Sequence, residues 1–205
     1  MKLISLPLEC EAHYCSDFMS KADADQLFEE IRTNYDLSDT VIQVINGPTV
    51  TLSTGRCIFA DPDIVDEDKM PPEFDRPHHW PKSILKLKQR IEAITGRQYN
   101  VCMGIYYKDG HADVAYHQDY RAYGDTSSIP SISLGQPRTF SLRRVDDVPE
   151  QVHNIVLPHG SLIIMGEHCQ DRYEHAILPE PEITQARLNL TFRAFDRTKK
   201  RIANS

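Results

Sequence analysis

Two of the nine histidines in this chain begin a His-x-Asp triplet, His111-Ala112-Asp113 and His117-Gln118-Asp119. Side chains two apart in extended backbone share a face, so either triplet could present an imidazole and a carboxylate to one metal ion. Two His and one carboxylate form the facial arrangement that leaves coordination positions open on iron. With 18 Asp in the chain, such a triplet arises about once by chance, so spacing alone decides nothing. Position separates the two. His111 follows the Asp109-Gly110 turn, at an exposed tip, whereas His117 falls at the end of the next strand segment. The third ligand must come from later in the chain, and His175, within Tyr173-Glu174-His175-Ala176-Ile177-Leu178, is the leading candidate. His153, His159 and His168 are its rivals, although His159 and His168 adjoin glycine-containing turns and read as solvated loop residues.

A second group of chemistry-bearing residues lies in Ala186-Arg187-Leu188-Asn189-Leu190-Thr191-Phe192-Arg193. In a strand, Leu188, Leu190 and Phe192 share one face and Arg187, Asn189, Thr191 and Arg193 the other. Two guanidinium forks flanking an amide and a hydroxyl make a claw for an anion, because each fork matches carboxylate or phosphate geometry bidentately. The plainer reading is a half-exposed sheet with a polar outer face, the usual meaning of alternation.

The elements that must position these residues are legible in outline. Residues 20–34 read as a helix with Ser20 as N-cap and Leu27, Phe28 and Ile31 as the buried stripe. From Val41 to Phe59 the pattern turns to strands broken at Asn46-Gly47-Pro48, and residues 60–80, rich in Pro and Asp, read as a surface loop or lid. A second helix follows Pro81, with Ile84, Leu87, Ile91 and Ile94 at helical spacing and Gly96 at its end. After Gly96, strands are expected at 98–107, 112–117, 129–134, 138–144, 152–157, 161–165, 173–177 and 186–195. Short strands at this spacing point to a jelly roll. The expected class is α+β: a double-stranded β-helix core, N-terminal helices packed on one sheet, and an N-terminal lid region.

At 205 residues the chain fits one domain with decorated ends. No apolar run reaches membrane-spanning length and no charged-then-apolar leader opens the sequence, so the expectation is an intracellular protein, cytoplasmic or, in a eukaryote, nuclear. Five cysteines without CxxC spacing argue against a disulfide framework or a thiolate zinc site. The net charge of −7 excludes a globally basic nucleic-acid binder. The acidity sits early: residues 1–130 carry 13 Lys/Arg against 21 Asp/Glu, and residues 131–205 carry 10 against 9. Arg138, Arg143, Arg144 and the tail Arg197, Lys199, Lys200 and Arg201 are basic and leave room for a local basic surface.

Six motifs occur together in order: Tyr107-Lys108-Asp109-Gly110, His117-Gln118-Asp119, Ile132-Ser133-Leu134-Gly135, His159-Gly160-Ser161-Leu162, His175, and Asn189-Leu190-Thr191-Phe192-Arg193. The set resembles the AlkB-type Fe(II)/2-oxoglutarate dioxygenases, the oxidative nucleic-acid demethylases, over residues 98–195 and more loosely over 41–97. The resemblance implies that His117, Asp119 and His175 hold Fe(II). It implies that Arg187 and Arg193 hold the carboxylates of 2-oxoglutarate, helped by Asn189 and Tyr107, with Thr191 lining the pocket. A dicarboxylate does need a fixed cationic fork at each end to place its keto acid on a metal. The implied reaction consumes O2 and 2-oxoglutarate, releases succinate and CO2, and hydroxylates a substrate C–H bond; an N-methyl carbon would leave as formaldehyde. The whole chain, 1–205, would then be one dioxygenase domain, with 1–97 as extension, lid and supporting helices and 98–195 as catalytic core, acting as a monomer on alkylated DNA or RNA without a membrane.

For the substrate end, the resemblance puts Arg56 and Phe59 among lid residues that embrace a flipped base. Tyr120, beside a metal ligand, could stack on that base, while Trp80, at a helix start, reads as packing. Two positions depart from the family pattern. Ile105 stands where Asn is frequent two residues before the cosubstrate tyrosine, and Arg121 stands where repair members commonly carry an acid near the damaged base. An arginine there disfavours a cationic adduct. The alternatives are the same iron chemistry on a nucleoside, small metabolite or protein side chain, and a non-catalytic jelly-roll binding module.

Overall fold

The computed structural model describes residues 2–43, 47–70, 74, 76–119, 121, 124–146 and 151–196. Chain order is β1 (Ile4–Ser5), β2 (Ala12–Cys15), α1 (Lys21–Asn34), β3 (Asp39–Gln43), β4 (Thr49–Ala60), α2 (Pro62–Asp66), β5 (His78–His79), α3 (Lys82–Thr95), β6 (Val101–Tyr107), β7 (Val114–His117), β8 (Gly124–Asp125), β9 (Ile129–Gly135), β10 (Arg138–Arg144), β11 (Val152–Leu157), β12 (Ser161–Met165), α4 (Cys169–Arg172), β13 (Tyr173–Ile177) and β14 (Arg187–Phe195).

The two long helices start and stop where their sequences say they should. Ser20 caps α1, its hydroxyl accepting from the Asp23 N–H at 3.1 Å, a contact worth about 1 kcal/mol. Pro81 precedes α3, and Gly96 ends it in the left-handed conformation at φ 66°, which glycine adopts without a Cβ clash. Ala24, Leu27 and Ile31 of α1 and Ile84, Leu87 and Ile91 of α3 are buried against Cys57, Phe59, Cys102, Leu188, Leu190 and Phe192 of one sheet. Both helices therefore cover one face of that sheet.

Pairing is antiparallel except for the short β4·β5 contact. The larger sheet runs β1-β2-β12-β9-β14-β6-β4-β3, with β5 on β4 and β8 on β14; the smaller runs β11-β10-β13-β7. The two sheets pack face to face through Tyr107, Ile129, Ile163 and Met165 on one side and Phe140, Leu142, Leu157, Tyr173 and Ile177 on the other. Strand β14 lies at the centre of the larger sheet, between β6 and β9. Its apolar face meets the helices and its polar face meets the smaller sheet, so neither face is the solvated surface that alternation alone suggests.

Three readings need correction. The stretch 60–80 is not all loop: Pro62 opens the short α2, whose Ile64 and Val65 are buried, and β5 follows. The cysteines do form one bridge, Cys10–Cys169, with Cα atoms 5.1 Å apart across 159 residues of sequence. No spacing motif could announce it, because the β2·β12 pairing and the backbone bonds joining Glu11 to Gly166 and Glu167 bring the two together. Arg138 is not part of a basic surface; it is 1% exposed, and its guanidinium donates to the carbonyls of Asp109, Ala112 and Leu178 at 2.8–3.1 Å. Arg143 and Arg144 are engaged by Glu174 and by Asp146 and Glu9, which neutralises the rest of that surface. The tail residues Arg197, Lys199, Lys200 and Arg201 lie outside the described residues. No helix among the described residues is long and apolar enough to cross a membrane.

Candidate active site

Antiparallel pairing of β7 with β13 makes His117 and His175 direct register partners, their ring centroids 4.2 Å apart. Nδ1 of His117 lies 2.8 Å from the Ala115 carbonyl. A carbonyl only accepts, so Nδ1 carries the proton and Nε2 keeps its lone pair for a ligand. Asp119 sits two residues past the end of β7 and is buried. Its Oδ1 accepts from Arg193 Nη2 at 2.5 Å, while its buried Oδ2 has no hydrogen-bond partner among the described residues and lies 3.9 Å from His175 Nε2. One ligand atom from each of His117, Asp119 and His175 falls within 4.8 Å of the others.

The protonation states suit metal binding. Burial, reinforced by His117 and Arg193 and opposed by Asp119, pushes His175 down to about 4, so it is the neutral, ligating form at neutral pH. Burial pushes the Asp119 carboxyl up, but Arg193 and His175 outweigh it and hold the group below its ordinary range, so it is ionised.

The polar face of β14 meets this triad. Arg187, 1% exposed, donates through Nη2 to Ser133 Oγ and Asn189 Oδ1, each at 2.9 Å, while its Nε and Nη1 have no partner among the described residues. The ring of Tyr107, its register partner on β6, lies 5.0 Å beneath the guanidinium. Asn189 donates to Thr191 Oγ1 at 2.8 Å, and Ser131 donates to Asn189 Oδ1 at 3.0 Å. Arg193 Nε is likewise buried without a partner among the described residues. A buried guanidinium with unsatisfied N–H groups is costly unless something anionic meets it. Three such donor atoms beside a free carboxylate oxygen and two imidazoles fit a metal with a chelated dicarboxylate.

Two cavities share this wall. One, of about 50 Å³, is lined by Tyr107, Ser131, Arg187, Asn189 and Thr191. The other, of about 260 Å³, is largely apolar, with Met70, Phe74, Val101, Met103 and Phe195 around it. Ile105, His117, Asp119 and Arg193 line both. His117 and Asp119 thus stand between a small cavity with one polar, arginine-bearing wall, closed on its other sides by Val114, Phe140, Leu157, Met165 and Ile177, and a larger, mostly apolar one.

The structure brings His117, Asp119, His175, Tyr107, Arg187, Asn189, Thr191 and Arg193 to one place. His111 is exposed on the turn that Asp109 caps, away from the triad. His159 is not a solvated loop residue: Nδ1 accepts from the Gly135 N–H at 2.8 Å and Nε2 faces Asp25 at 3.0 Å. Phe59 does not embrace a ligand; it is fully buried under the helices, edge-on to Tyr35 at 4.9 Å. The alternation of β4 explains why, because Phe59 points to the helix side and Ile58 and Arg56 to the other. Arg56 lies over the Phe74 ring, 5.8 Å from its centre, at the rim of the apolar cavity. Trp80 packs parallel to Phe192 and donates to Asp61 at 2.7 Å. Arg121 turns away and pairs with Asp171, lining neither cavity of the site. Tyr120 lies outside the described residues. Sequence reasoning missed Phe74, Met70 and Phe195, which belong to no motif, and Gln170, whose Oε1 accepts the Asp119 N–H at 2.7 Å.

A family model described as the 2OG-Fe(II) oxygenase superfamily matches residues 11–193. The chain belongs to that superfamily, whose reagents are Fe(II), 2-oxoglutarate and O2. Within it, the chain is similar to AlkB homologues. Alpha-ketoglutarate-dependent dioxygenase alkB homolog 3 of Rattus norvegicus is 33% identical over 123 residues, covering 56% of this chain and 42% of that protein. The DNA oxidative demethylase ALKBH2 of Bos taurus is 30% identical over 132 residues, covering 61% and 48%. The alkB homolog 3 of Bos taurus is 26% identical over 193 residues, covering 87% and 64%. The chain thus spans roughly half the length of the curated relatives it matches. The solved structure of OsALKBH1 shares the fold, with a TM-score of 0.64 at 19% identity, covering 92% of this chain and all of that one.

Proposed function

We propose that this chain is an Fe(II)- and 2-oxoglutarate-dependent dioxygenase that oxidatively demethylates N-alkylated bases in DNA or RNA. The observation that carries the reading is the junction at Asp119, where a buried carboxylate with one free oxygen meets two imidazoles and two arginines with unsatisfied N–H groups. In this reading His117 Nε2, Asp119 Oδ2 and His175 Nε2 hold the iron. Arg187 holds the distal carboxylate of 2-oxoglutarate, with Tyr107, Asn189 and Thr191 shaping that end, and Arg193 serves both Asp119 and the carboxylate next to the keto group. When bound, iron and cosubstrate supply the oxidising power that hydroxylates an N-alkyl C–H bond.

The protein's own residues supply orientation and exclusion of water. The Ala115 carbonyl fixes the His117 tautomer, Arg193 directs Asp119, and the apolar walls Met70, Phe74, Met103 and Phe195 keep water from the reacting carbon. Nucleic acid as the substrate is supported by relatives named as a DNA oxidative demethylase and as AlkB homologues. The same reading makes 98–195 a double-stranded β-helix within one domain, with Arg56, Phe74 and the segment around Met70 as its lid. It makes the protein a monomer of cytoplasm or nucleus.

A second reading keeps the iron chemistry and changes the substrate to a nucleoside, small metabolite or protein side chain. It is favoured by the net charge of −7 and by the engagement of Arg138, Arg143 and Arg144 within the protein. The deciding experiment is a mass-spectrometric panel of methylated oligonucleotides and nucleosides, assayed with Fe(II) and 2-oxoglutarate. Succinate and formaldehyde released in step with a methylated strand are expected. Turnover confined to nucleosides would favour the second reading, and absence of any 2-oxoglutarate decarboxylation would overturn both.

A further inference from the structure

Asp119 lies beyond the last residue of β7, so its peptide N–H needs a partner outside the strand. That partner is the side chain of Gln170, 51 residues later, accepting at 2.7 Å in a buried contact. The N–H can only donate, which fixes the amide orientation: Oε1 faces Asp119, and Nε2 faces Met165 Sδ at 3.5 Å. Gln170 is itself 5% exposed. It sits on the one-turn helix α4, which runs directly into β13, the strand carrying His175.

That turn is pinned from behind. Cys169 is bridged to Cys10, the Gly166 N–H donates to the Glu11 carbonyl at 2.6 Å, and Arg172 donates to the Glu9 carbonyl at 2.9 Å. One amide therefore joins the segment bearing the carboxylate to the segment bearing an imidazole, and its own base is anchored to residues 9–11, just before β2. Arg193 holds the Asp119 side chain at Oδ1, but a side-chain contact alone leaves the backbone free to swing. Fixing both the peptide and Oδ1 leaves Oδ2 a single direction.

We propose that Gln170 is a positioning residue for the metal centre, holding the Asp119 peptide so that its free oxygen faces His117 and His175. The proposal rests on the reading that these three residues hold iron. Removing a partner that orients a ligand typically costs about 10- to 100-fold in metal affinity. The test is equilibrium dialysis of the full chain against Co(II), alongside thermal unfolding of the metal-free protein. Gln170→Met keeps the volume and removes the acceptor; Gln170→Glu keeps an oxygen in its place. Co(II) affinity is expected to fall about 10- to 100-fold in Gln170→Met and to return for the most part in Gln170→Glu, with metal-free unfolding still cooperative and lowered only by the one lost buried hydrogen bond. A Gln170→Met protein within about twofold of wild type would overturn the proposal.

Hydrogen exchange at the Asp119 amide of the unaltered protein gives a second measurement that does not depend on a variant folding. Slow exchange supports the bond, and exchange at the rate of an exposed loop amide overturns it. His175→Ala separates the two levels: if it leaves Co(II) affinity intact, the metal reading fails. If it abolishes binding while Gln170→Met does not weaken it, the role of Gln170 alone fails.

Discussion

The two cavities that meet at the triad are built by different means. Beside Arg187 one wall is interlocked: Ser131, Ser133, Asn189 and Thr191 bond to one another or to the guanidinium, and they come from two strands paired in strict register. Around Met103 the walls are mostly apolar side chains, drawn from Met70 and Phe74 after α2, from β6, and from the end of β14. In a polar wall of this kind a lost partner leaves a buried group unsatisfied, so change is tolerated only where it also removes an uncompensated buried charge. An apolar wall can exchange side chains of similar volume for under about 1.5 kcal/mol. The same chemistry can therefore be kept while the accepted substrate drifts.

The largest expected effect falls on the smaller cavity, at a ligand of the proposed metal. His175→Ala should abolish metal binding and 2-oxoglutarate turnover together, measured by dialysis and by succinate release. Retention of either would place the metal elsewhere. Arg187→Met is the sharper test. Each charged hydrogen bond contributes about 1.5–3 kcal/mol, so KM for 2-oxoglutarate should rise about 10- to 100-fold or more. The cosubstrate-free variant should nevertheless be as stable as wild type or more so. The buried Arg187 has two nitrogens without a hydrogen-bond partner among the described residues, and burial together with nearby Arg138 lowers its pKa against the opposition of Tyr107 and Glu180. Replacing such a charge with an apolar side chain of similar size is frequently stabilising. A clear drop in the melting temperature of the cosubstrate-free variant would mean that the claw is structural rather than held ready for an anion.

The pH dependence follows from the same polar end. His175 has its pKa depressed by burial to about 4 in the folded chain, against about 6.5 unfolded. Its contribution to the metal-free protein is therefore fully present above pH 6.5 and is lost as pH falls toward 4, on the order of 3 kcal/mol. Asp119, also depressed, adds its loss at lower pH. Thermal melts between pH 7 and 4 should show this decline, and iron retention should fall in the same window because the protonated imidazole cannot ligate. A flat profile would mean that His175 is solvated rather than buried.

How much of this could be read beforehand follows the same division. Strands β9 to β13 and the central β14 fall within a residue of their expected spans because alternation and turn residues are local signals. The polar end was legible because its residues sit in short ordered motifs. Phe59 was misplaced because a strand pattern gives alternation but does not say which face meets which layer. Phe74 and Met70 follow α2 in a stretch without periodicity, and nothing local marks them as a wall. The Cys10–Cys169 bridge and the Gln170 contact join residues 159 and 51 positions apart, a distance at which only the assembled sheets carry information.

Smaller effects belong to the apolar end. Phe74→Ala should raise KM for a base substrate about tenfold, within the range for a lost stacking or packing partner, while leaving substrate-free decarboxylation unchanged. Phe59→Ala, one strand face away, should instead lower stability by about 3–5 kcal/mol without selective effect on substrate. If the two variants exchanged phenotypes, the assignment of faces on β4 would be reversed.

The smallest effect is expected at Arg121. A cation beside the damaged base would repel positively charged adducts, and removing it would then favour them strongly. Its guanidinium instead pairs with Asp171, its side chain is 61% exposed, and it lines neither the polar nor the apolar cavity. An exposed pair of this kind is worth little. Arg121→Ala should change the ratio of kcat/KM between cationic and neutral adducts by less than about threefold. A tenfold gain for cationic adducts would show that Arg121 leaves Asp171 when substrate binds, making selection against positive charge a property of the bound state rather than of the apolar wall.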